Sequence, residues 1–327
     1  MGPHHVEARL SRKLRIAVLS GGPSAERLIS LKSGSAVARA LAAFGHSISE
    51  IDPAVVDVSN FDWGPFDVAF IALHGKFGED GQIQQILEQA LIPYTGSGVA
   101  ASRLAFSKSA SKERFAQHQV PTAPYVLIHE SDTAHRIGQQ AHQLGYPLVV
   151  KPDTQGSSLG VTIVQKPADL PAALARCFHY DSFGLLEQAL MGSEWTVGLI
   201  DERALPAIHI ETKRAFFDYA AKYEDDETRY QFDYDVPAEV VDSIVQTARN
   251  ACAAVGTSGL ARVDLIVDRS GTPQVLEVNT VPGLTDHSLV PKAAARVGMS
   301  LTDLCQECVQ SALRQATRRA ALRAGRG

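Results

Sequence analysis

Gly259–Pro291 reads GLARVDLIVDRSGTPQVLEVNTVPGLTDHSLVP. Two runs rich in β-branched and aliphatic residues, Leu260–Val267 and Gln274–Val278, flank Asp268-Arg269-Ser270-Gly271, whose glycine accepts a positive φ cheaply. This pattern predicts an antiparallel hairpin. Side chains alternate faces along a strand, so Arg262 and Asp264 share one face, as do Glu277 and Asn279. A hairpin centred on Ser270–Gly271 without a bulge sets Asp264 opposite Glu277 and Arg262 opposite Asn279. Facing carboxylates repel and weaken a sheet, and a divalent cation between them reverses that sign. Asp, Glu and Asn offer hard oxygens that suit Mg2+ held together with phosphates. Arg262 adds a permanent, planar cation. A solvated outer face is the plainer reading of one such pair. Four residues in register, followed by a Gly-Leu-Thr-Asp-His-Ser loop, favour a site.

The chain has 327 residues, which predicts two or three domains. Its apolar content of 45% and charged content of 20% are those of a globular protein. A formal net charge of −5 argues against nucleic acid as the main partner. No apolar run approaches the roughly 18 residues that span a bilayer, so no membrane role is expected. The four cysteines form no disulfide framework, and a reducing cytoplasm is inferred. Cys305-x-x-Cys308 has zinc or redox spacing but lies in an amphipathic helical pattern without a second pair or nearby histidines, so it reads as helix core.

From the start of the chain, Arg15–Ser20 reads as a strand that runs into Gly21-Gly22-Pro23-Ser24-Ala25-Glu26 and then a helix from Ile29 to Phe44. Strand, glycine turn and helix open an α/β unit whose ligand sits at the strand's carboxyl end. The glycine spacing is not that of a dinucleotide fingerprint. Glu26 is unusual for a phosphate loop. It suits an ammonium, or simply the first turn of a helix. Ser47–Ile51 and Asp67–Leu73 are further strands, and the second ends in His74-Gly75-Lys76-Phe77-Gly78-Glu79-Asp80-Gly81. Two such loops after strands are expected to line one crevice, with His74 a candidate for binding or for a structural hydrogen bond.

Val99–Val120 reads as one helix, with Lys108 and Lys112 a turn apart. Pro147–Lys151 is an apolar strand ending in a lysine, followed by Gly156-Ser157-Ser158-Leu159-Gly160 and a return strand, Val161–Gln165. A lysine, a Gly/Ser loop and a return strand make a phosphate lid in which N–H groups, hydroxyls and the ammonium meet the anion. Gly184–Gln188 carries Glu187 and leads to Glu194 and a strand at Trp195–Ile200. Ala215–Pro237 is aromatic, acidic and without period, and is expected as a mobile loop over a site, with Lys222 and Tyr223 facing substrate.

These motifs together resemble the ATP-grasp superfamily. Within it, Ser24-Ala25-Glu26, His74-Gly75, Gly78-Glu79-Asp80-Gly81, Tyr219-x-x-Lys222-Tyr223 and Asn279-x-x-Pro282-Gly283-x-Thr285-x-His287-Ser288-Leu289-x-Pro291 look like the D-alanine–D-alanine ligase family, in order from about Arg15 to Leu313. The resemblance implies an α/β and α+β protein, a three-domain ATP-grasp fold with an N-terminal doubly wound (pre-ATP-grasp) domain and a C-terminal domain on a mixed sheet. We expect those domains at 13–95, 96–184 and 185–315, with 1–12 and 316–327 as disordered tails. It implies ligation of two D-alanines by ATP through a D-alanyl phosphate, for peptidoglycan precursors.

The implied roles follow the matching positions. Glu26 holds the first D-alanine's ammonium, with His74 at the substrate, and Ser157 and Tyr223 link to Glu26. Lys108, Lys151, Ser158 and Lys222 hold ATP phosphates, and Glu187 and Glu194 hold adenine and ribose. Asp264, Glu277 and Asn279 carry two Mg2+ ions, or Mn2+. Arg262 and the Gly283 N–H stabilise the tetrahedral intermediate. Ser288 and Leu289 receive the second D-alanine's carboxylate. A homodimer is the family's habit. Gln188 stands where many relatives carry lysine, and Leu28-Ile29 replaces a usual acidic-aliphatic pair. Alternatives are a D-serine- or D-lactate-using relative, another ATP-grasp carboxylate–amine ligase, or a non-catalytic ATP-binding regulator. Tyr223 argues against the lactate form, and the retained Arg262, Asp264, Glu277 and Asn279 argue against the regulator.

Overall fold

A computed structural model describes residues 12–211 and 228–324. Three sheets follow one another along the chain. The first is parallel: β1 (Arg15–Leu19) lies between β2 (Ser47–Ile51) and β3 (Val68–Ile71). The apolar sequence of β1 leaves four of its five residues buried, because helix Arg27–Ala43 covers the sheet. The chain crosses from one side of β1 to the other between β2 and β3. The loops after β1 and β3 therefore open at one switch point, where α/β sheets bind ligands.

The second sheet is antiparallel, in the order β4 (Tyr125–His129), β7 (Phe183–Gln188), β5 (Leu148–Pro152), β6 (Thr162–Val164). The boundary expected at Gly184 thus falls inside a central strand of this sheet, which ends at Gln188. The third sheet begins at β8 (Gly192–Ile200). It continues with β9 (Arg203–Ala204), β10 (Ile208–Glu211), β11 (Arg229–Gln231), β12 (Leu260–Asp268) and β13 (Pro273–Asn279). Every pairing described in it is antiparallel, so the mixed sheet expected for this part is corrected. Short links reverse the chain from β8 through β9 to β10 and from β12 to β13, whereas the helix Ala238–Val255 lies between β11 and β12.

Other expectations change too. The single helix expected over Val99–Val120 is two, Val99–Phe106 and Lys108–Gln117. Ser107 breaks it with an extended backbone, and its hydroxyl accepts from the Ala110 N–H at 3.2 Å. Asp153 fixes the break by accepting from Ser107 Oγ at 2.8 Å and the Ser109 N–H at 2.7 Å. The loop expected at Ala215–Pro237 contains the edge strand Arg229–Gln231, paired with Ile208–Glu211. Lys222 and Tyr223 lie outside the described residues.

The tail expected as disordered from residue 316 is helical to Ala324. Arg319 bonds Glu88 at 3.1 Å and Tyr94 Oη at 3.2 Å, which explains why its basic sequence does not fray. The same helix packs Leu304, Cys305, Cys308 and Val309 against Leu14, Val37, Leu41 and Phe70 of the first sheet layer. Cys305-x-x-Cys308 is therefore core, with both thiols free and buried.

Candidate active site

The hairpin sets Arg262 against Asn279 and Asp264 against Glu277, as the two-residue period requires. It does so with a bulge. From Leu265 the register shifts by one, pairing Leu265 with Val275. The turn is centred half a position earlier, on Ser270, than a bulge-free hairpin needs, and the bulge restores the pairs. Asp268 ties that turn by accepting from the N–H groups of Ser270 and Thr272 at 2.9 and 3.1 Å.

Asp264 is buried and accepts from Arg262 through two bonds, 2.9 and 2.7 Å, and from Thr196 Oγ1 at 2.7 Å. Glu277 is less engaged: its side chain is 29% exposed, and Lys108 Nζ stands 3.7 Å away. The Asn279 side-chain oxygen accepts from the Val281 N–H at 3.0 Å and turns the chain toward Gly283. Among the described residues no three His, Cys, Asp or Glu cluster as a ready metal cage. Two facing carboxylates and an amide still match the donors of a hard cation that arrives with phosphates.

On one side of this face lies a pocket lined by Glu26, His74, Ser157, Arg262, Gly283 and the Ser288–Leu289 turn, with Glu79, Tyr230, Thr285 and His287. The Glu26 carboxylate fits between two glycines. A Cβ on Gly75 would come within 2.5 Å of it, and one on Gly156 within 2.8 Å. Ser157 donates its hydroxyl to Glu26. Ser157 and Ser158 have φ of 52° and 57°, a left-handed pair that non-glycine residues adopt only when the surroundings hold them there. His74 is buried with both ring nitrogens engaged, to Val281 O and Ser33 Oγ, each at 2.9 Å. It ties the helix after Glu26 to the loop after Asn279. Burial pushes the Glu79 carboxyl up, His74 opposes this, and the nearby Glu26 charge adds to it. Gly283 approaches the Ser288 hydroxyl, which also meets Thr285 Oγ1 at 2.9 Å.

On the other side lies a more apolar pocket between the second and third sheets. Its walls include Val149, Ile163, Leu190, Ile266 and Leu276, with Lys151, Ser158, Glu187, Gln188 and Glu194 as polar points. Asp264 also reaches it. Glu187 is buried and takes two lysines: Lys151 at 2.9 Å and Lys112 at 2.8 Å. Burial pushes the Glu187 carboxyl up, but the two cations outweigh it and its pKa lies below the ordinary value. Lys112 itself is lowered to about 8, chiefly by burial. The two pockets share Lys108, Gln155 and Glu277 as a common wall, and Lys108 Nζ donates to Gln155 O at 2.5 Å.

The structure thus brings together all the sequence-assigned residues except Lys222 and Tyr223. The sequence assigns no role to Lys112, Glu79, Gln155 or Thr196. Glu79 stands in the Gly78-Glu79-Asp80-Gly81 loop and Gln155 directly precedes the Gly/Ser lid, whereas Thr196 carries no local signal.

The profile described as D-ala D-ala ligase C-terminus matches residues 115–310, and that of the N-terminus matches 54–97. The chain is 42% identical over 300 residues to a D-alanine–D-alanine ligase of Geotalea uraniireducens, covering 91% of this chain and 95% of that one. It is 44% identical over 292 residues to one of Alkalilimnicola ehrlichii, covering 89% and 92%. The fold superposes on the crystal structure of the Bacillus anthracis D-alanine–D-alanine ligase with a TM-score of 0.83 at 34% identity, covering 94% of this chain and 99% of that one. The ATP complex of that enzyme gives 0.81 at 30% identity, with the same coverage.

Proposed function

The chain belongs to the D-alanine–D-alanine ligase family, and we propose that its two adjoining pockets divide the family's reaction, with ATP in one and both D-alanines in the other. The chain is an ATP-dependent ligase of D-alanine to D-alanine, of the ATP-grasp fold, a step that feeds peptidoglycan synthesis. The observation that carries the division is the shared wall of Lys108, Gln155 and Glu277, because group transfer between two sites needs them to meet at one point.

Glu26 holds the ammonium of the first D-alanine, with Ser157 fixing that carboxylate and His74 bracing the loop beside it. The first D-alanine's carboxylate takes the γ-phosphoryl group, giving D-alanyl phosphate and ADP. The second D-alanine's amine loses a proton and attacks the acyl carbon, and phosphate leaves. Charge on the carbonyl oxygen meets Arg262 and the Gly283 N–H, both on the wall of the same pocket. Ser288 and Leu289 receive the second carboxylate, and the family motif assigns Tyr223 as a partner of Glu26. Lys108, Lys151, Ser158 and Lys222 hold phosphates, while Glu187 and Glu194 hold adenine and ribose. Mg2+ or Mn2+ held by Asp264, Glu277 and Asn279 supplies charge neutralisation at the phosphates.

The three sheets support three working units near 13–95, 96–184 and 185–315, the second boundary moved to the turn after Gln188. Four free, buried cysteines support a reducing cytoplasm as the location, and the family's habit supports a homodimer, which light scattering tests. Among the described residues no helix is long and apolar enough to cross a membrane. Phosphate release from Mg-ATP with D-alanine, L-alanine, D-serine or D-alanine plus D-lactate, with products identified by mass, tests the reading. It expects release that requires D-alanine and yields the D-alanine dimer. ATP binding without release on any substrate overturns it.

A further inference from the structure

Lys112 is among the most buried side chains of the molecule, with 1% of it exposed, and it does not line the nucleotide pocket. It stands behind the wall. Its ammonium donates to Thr122 Oγ1 at 2.6 Å, pairs with Glu187 at 2.8 Å and lies 5.6 Å from the centre of the Tyr125 ring. Thr122 in turn donates to Val275 O at 2.7 Å, on the strand that carries Glu277. Every direction around the ammonium is therefore occupied by protein. Lys151 is placed differently. Its ammonium reaches the same carboxylate, 3.0 and 2.9 Å from the two oxygens, but it faces the pocket. One carboxylate thus holds two cations, one enclosed and one open to ligand. If Lys112 were absent, moving Lys151 to a phosphate would strand Glu187 as a buried, unpaired charge, which is strongly unfavourable.

We propose that Lys112 is a positioning residue: the fixed counter-ion of Glu187 that frees Lys151 to turn from Glu187 to the nucleotide's phosphates. This rests on the nucleotide reading of that pocket. Its energetic consequence is specific. The loss of Lys112 penalises ligands that draw Lys151 away, and spares those that do not. Burial already pushes the Lys112 pKa down to about 8, which accords with an ammonium kept charged by Glu187 rather than by water.

The test measures dissociation constants of ATP and adenosine, by competition against a fluorescent ATP analogue, for the wild type, Lys112→Met, Glu187→Gln and the double variant, each with a thermal midpoint. Lys112→Met is expected to weaken ATP on the order of tenfold with adenosine nearly unchanged, and to raise KM for ATP far more than it lowers kcat. Glu187→Gln in the Lys112→Met background removes the charge that holds Lys151. The double variant is therefore expected to return the ATP-to-adenosine ratio to that of Glu187→Gln alone. It also keeps the test open if Lys112→Met does not fold, since it removes both members of the pair. Equal weakening of ATP and adenosine, or a double variant whose ratio stays below that of Glu187→Gln, overturns the proposal. A wild type that binds neither ligand overturns the nucleotide reading instead.

Discussion

On the hairpin face, Asp264 and Glu277 oppose each other, with Arg262 bound to the first and Lys108 3.7 Å from the second. On the neighbouring sheet, Glu187 alone holds Lys112 and Lys151. The first region has paired carboxylates and a loosely held Glu277. The second has one carboxylate and a surplus cation. Both border the same pocket, so the difference is one of task. A surplus of positive charge in a partly dry cleft favours an incoming anion, and Lys151 can change partners without leaving a bare carboxylate. Opposed carboxylates repel an incoming triphosphate until a cation comes with it. The division between the regions predicts which end of a metal–nucleotide complex each one meets.

The largest expected effect separates the two regions outright. Glu277→Gln is expected to lower turnover on the order of 10²–10³-fold in steady-state kinetics, since it removes a group that acts where charge is transferred. Glu187→Gln is expected to act mainly on KM for ATP, with kcat within a few fold. Similar kcat losses in both variants would break the comparison. Next in size is the oxyanion side of the hairpin. Arg262→Met is expected to lose kcat on the order of 10²-fold with ATP binding retained, measured by turnover and by equilibrium binding in parallel.

A fourth carboxylate sharpens the scale. Asp52 pairs with Arg27 at 2.6 Å near the surface, without a second cation. The Arg27 hydrogen bond, helped by the N–H groups of Gly22 and Ala54, lowers its pKa to about 2. With the folded value depressed, the unfolded chain binds more protons across that window. The pair's contribution is present above the ordinary carboxylate pKa of about 4 and is lost as pH falls toward 2. Arg27→Leu is expected to raise the Asp52 midpoint in a carboxyl NMR titration and to change stability at neutral pH only slightly, because both partners are largely solvated. The smallest expected signal is an absence. Burial raises the Cys305 thiol to about 12 and Cys308 well above its ordinary value. Native protein at pH 8 is therefore expected to resist iodoacetamide at both positions, with labelling only after unfolding, read by mass.

The hairpin was legible in the sequence because a period of two fixes faces without any distant partner. Its pairs were read correctly although the bulge beyond Asp264 was not, since the displaced turn and the bulge compensate. The Glu26–Ser157 contact joins two loops 131 residues apart, and it was reached through family motifs rather than spacing. The break at Ser107 was missed because helical periodicity runs through it, while its cause, Asp153, lies 46 residues away. In the sequence Lys112 is only a lysine one turn from Lys108 on a continuous helical pattern. Only the fold shows that the break turns it inward, onto Glu187. The basic terminal helix read as frayed for the same reason: Glu88 and Tyr94, which hold Arg319, belong to the opposite end of the chain.

The charge division between the two regions is tested most directly by ATP affinity, measured by calorimetry with and without Mg2+, in the wild type and in Glu277→Gln. The account predicts that Mg2+ tightens ATP binding to the wild type and has a much smaller effect on Glu277→Gln. It also predicts that metal-free ATP binds the variant at least as well as the wild type, because a repelling carboxylate is gone. An equal gain from Mg2+ in both proteins would contradict the assignment of the hairpin carboxylates to the metal.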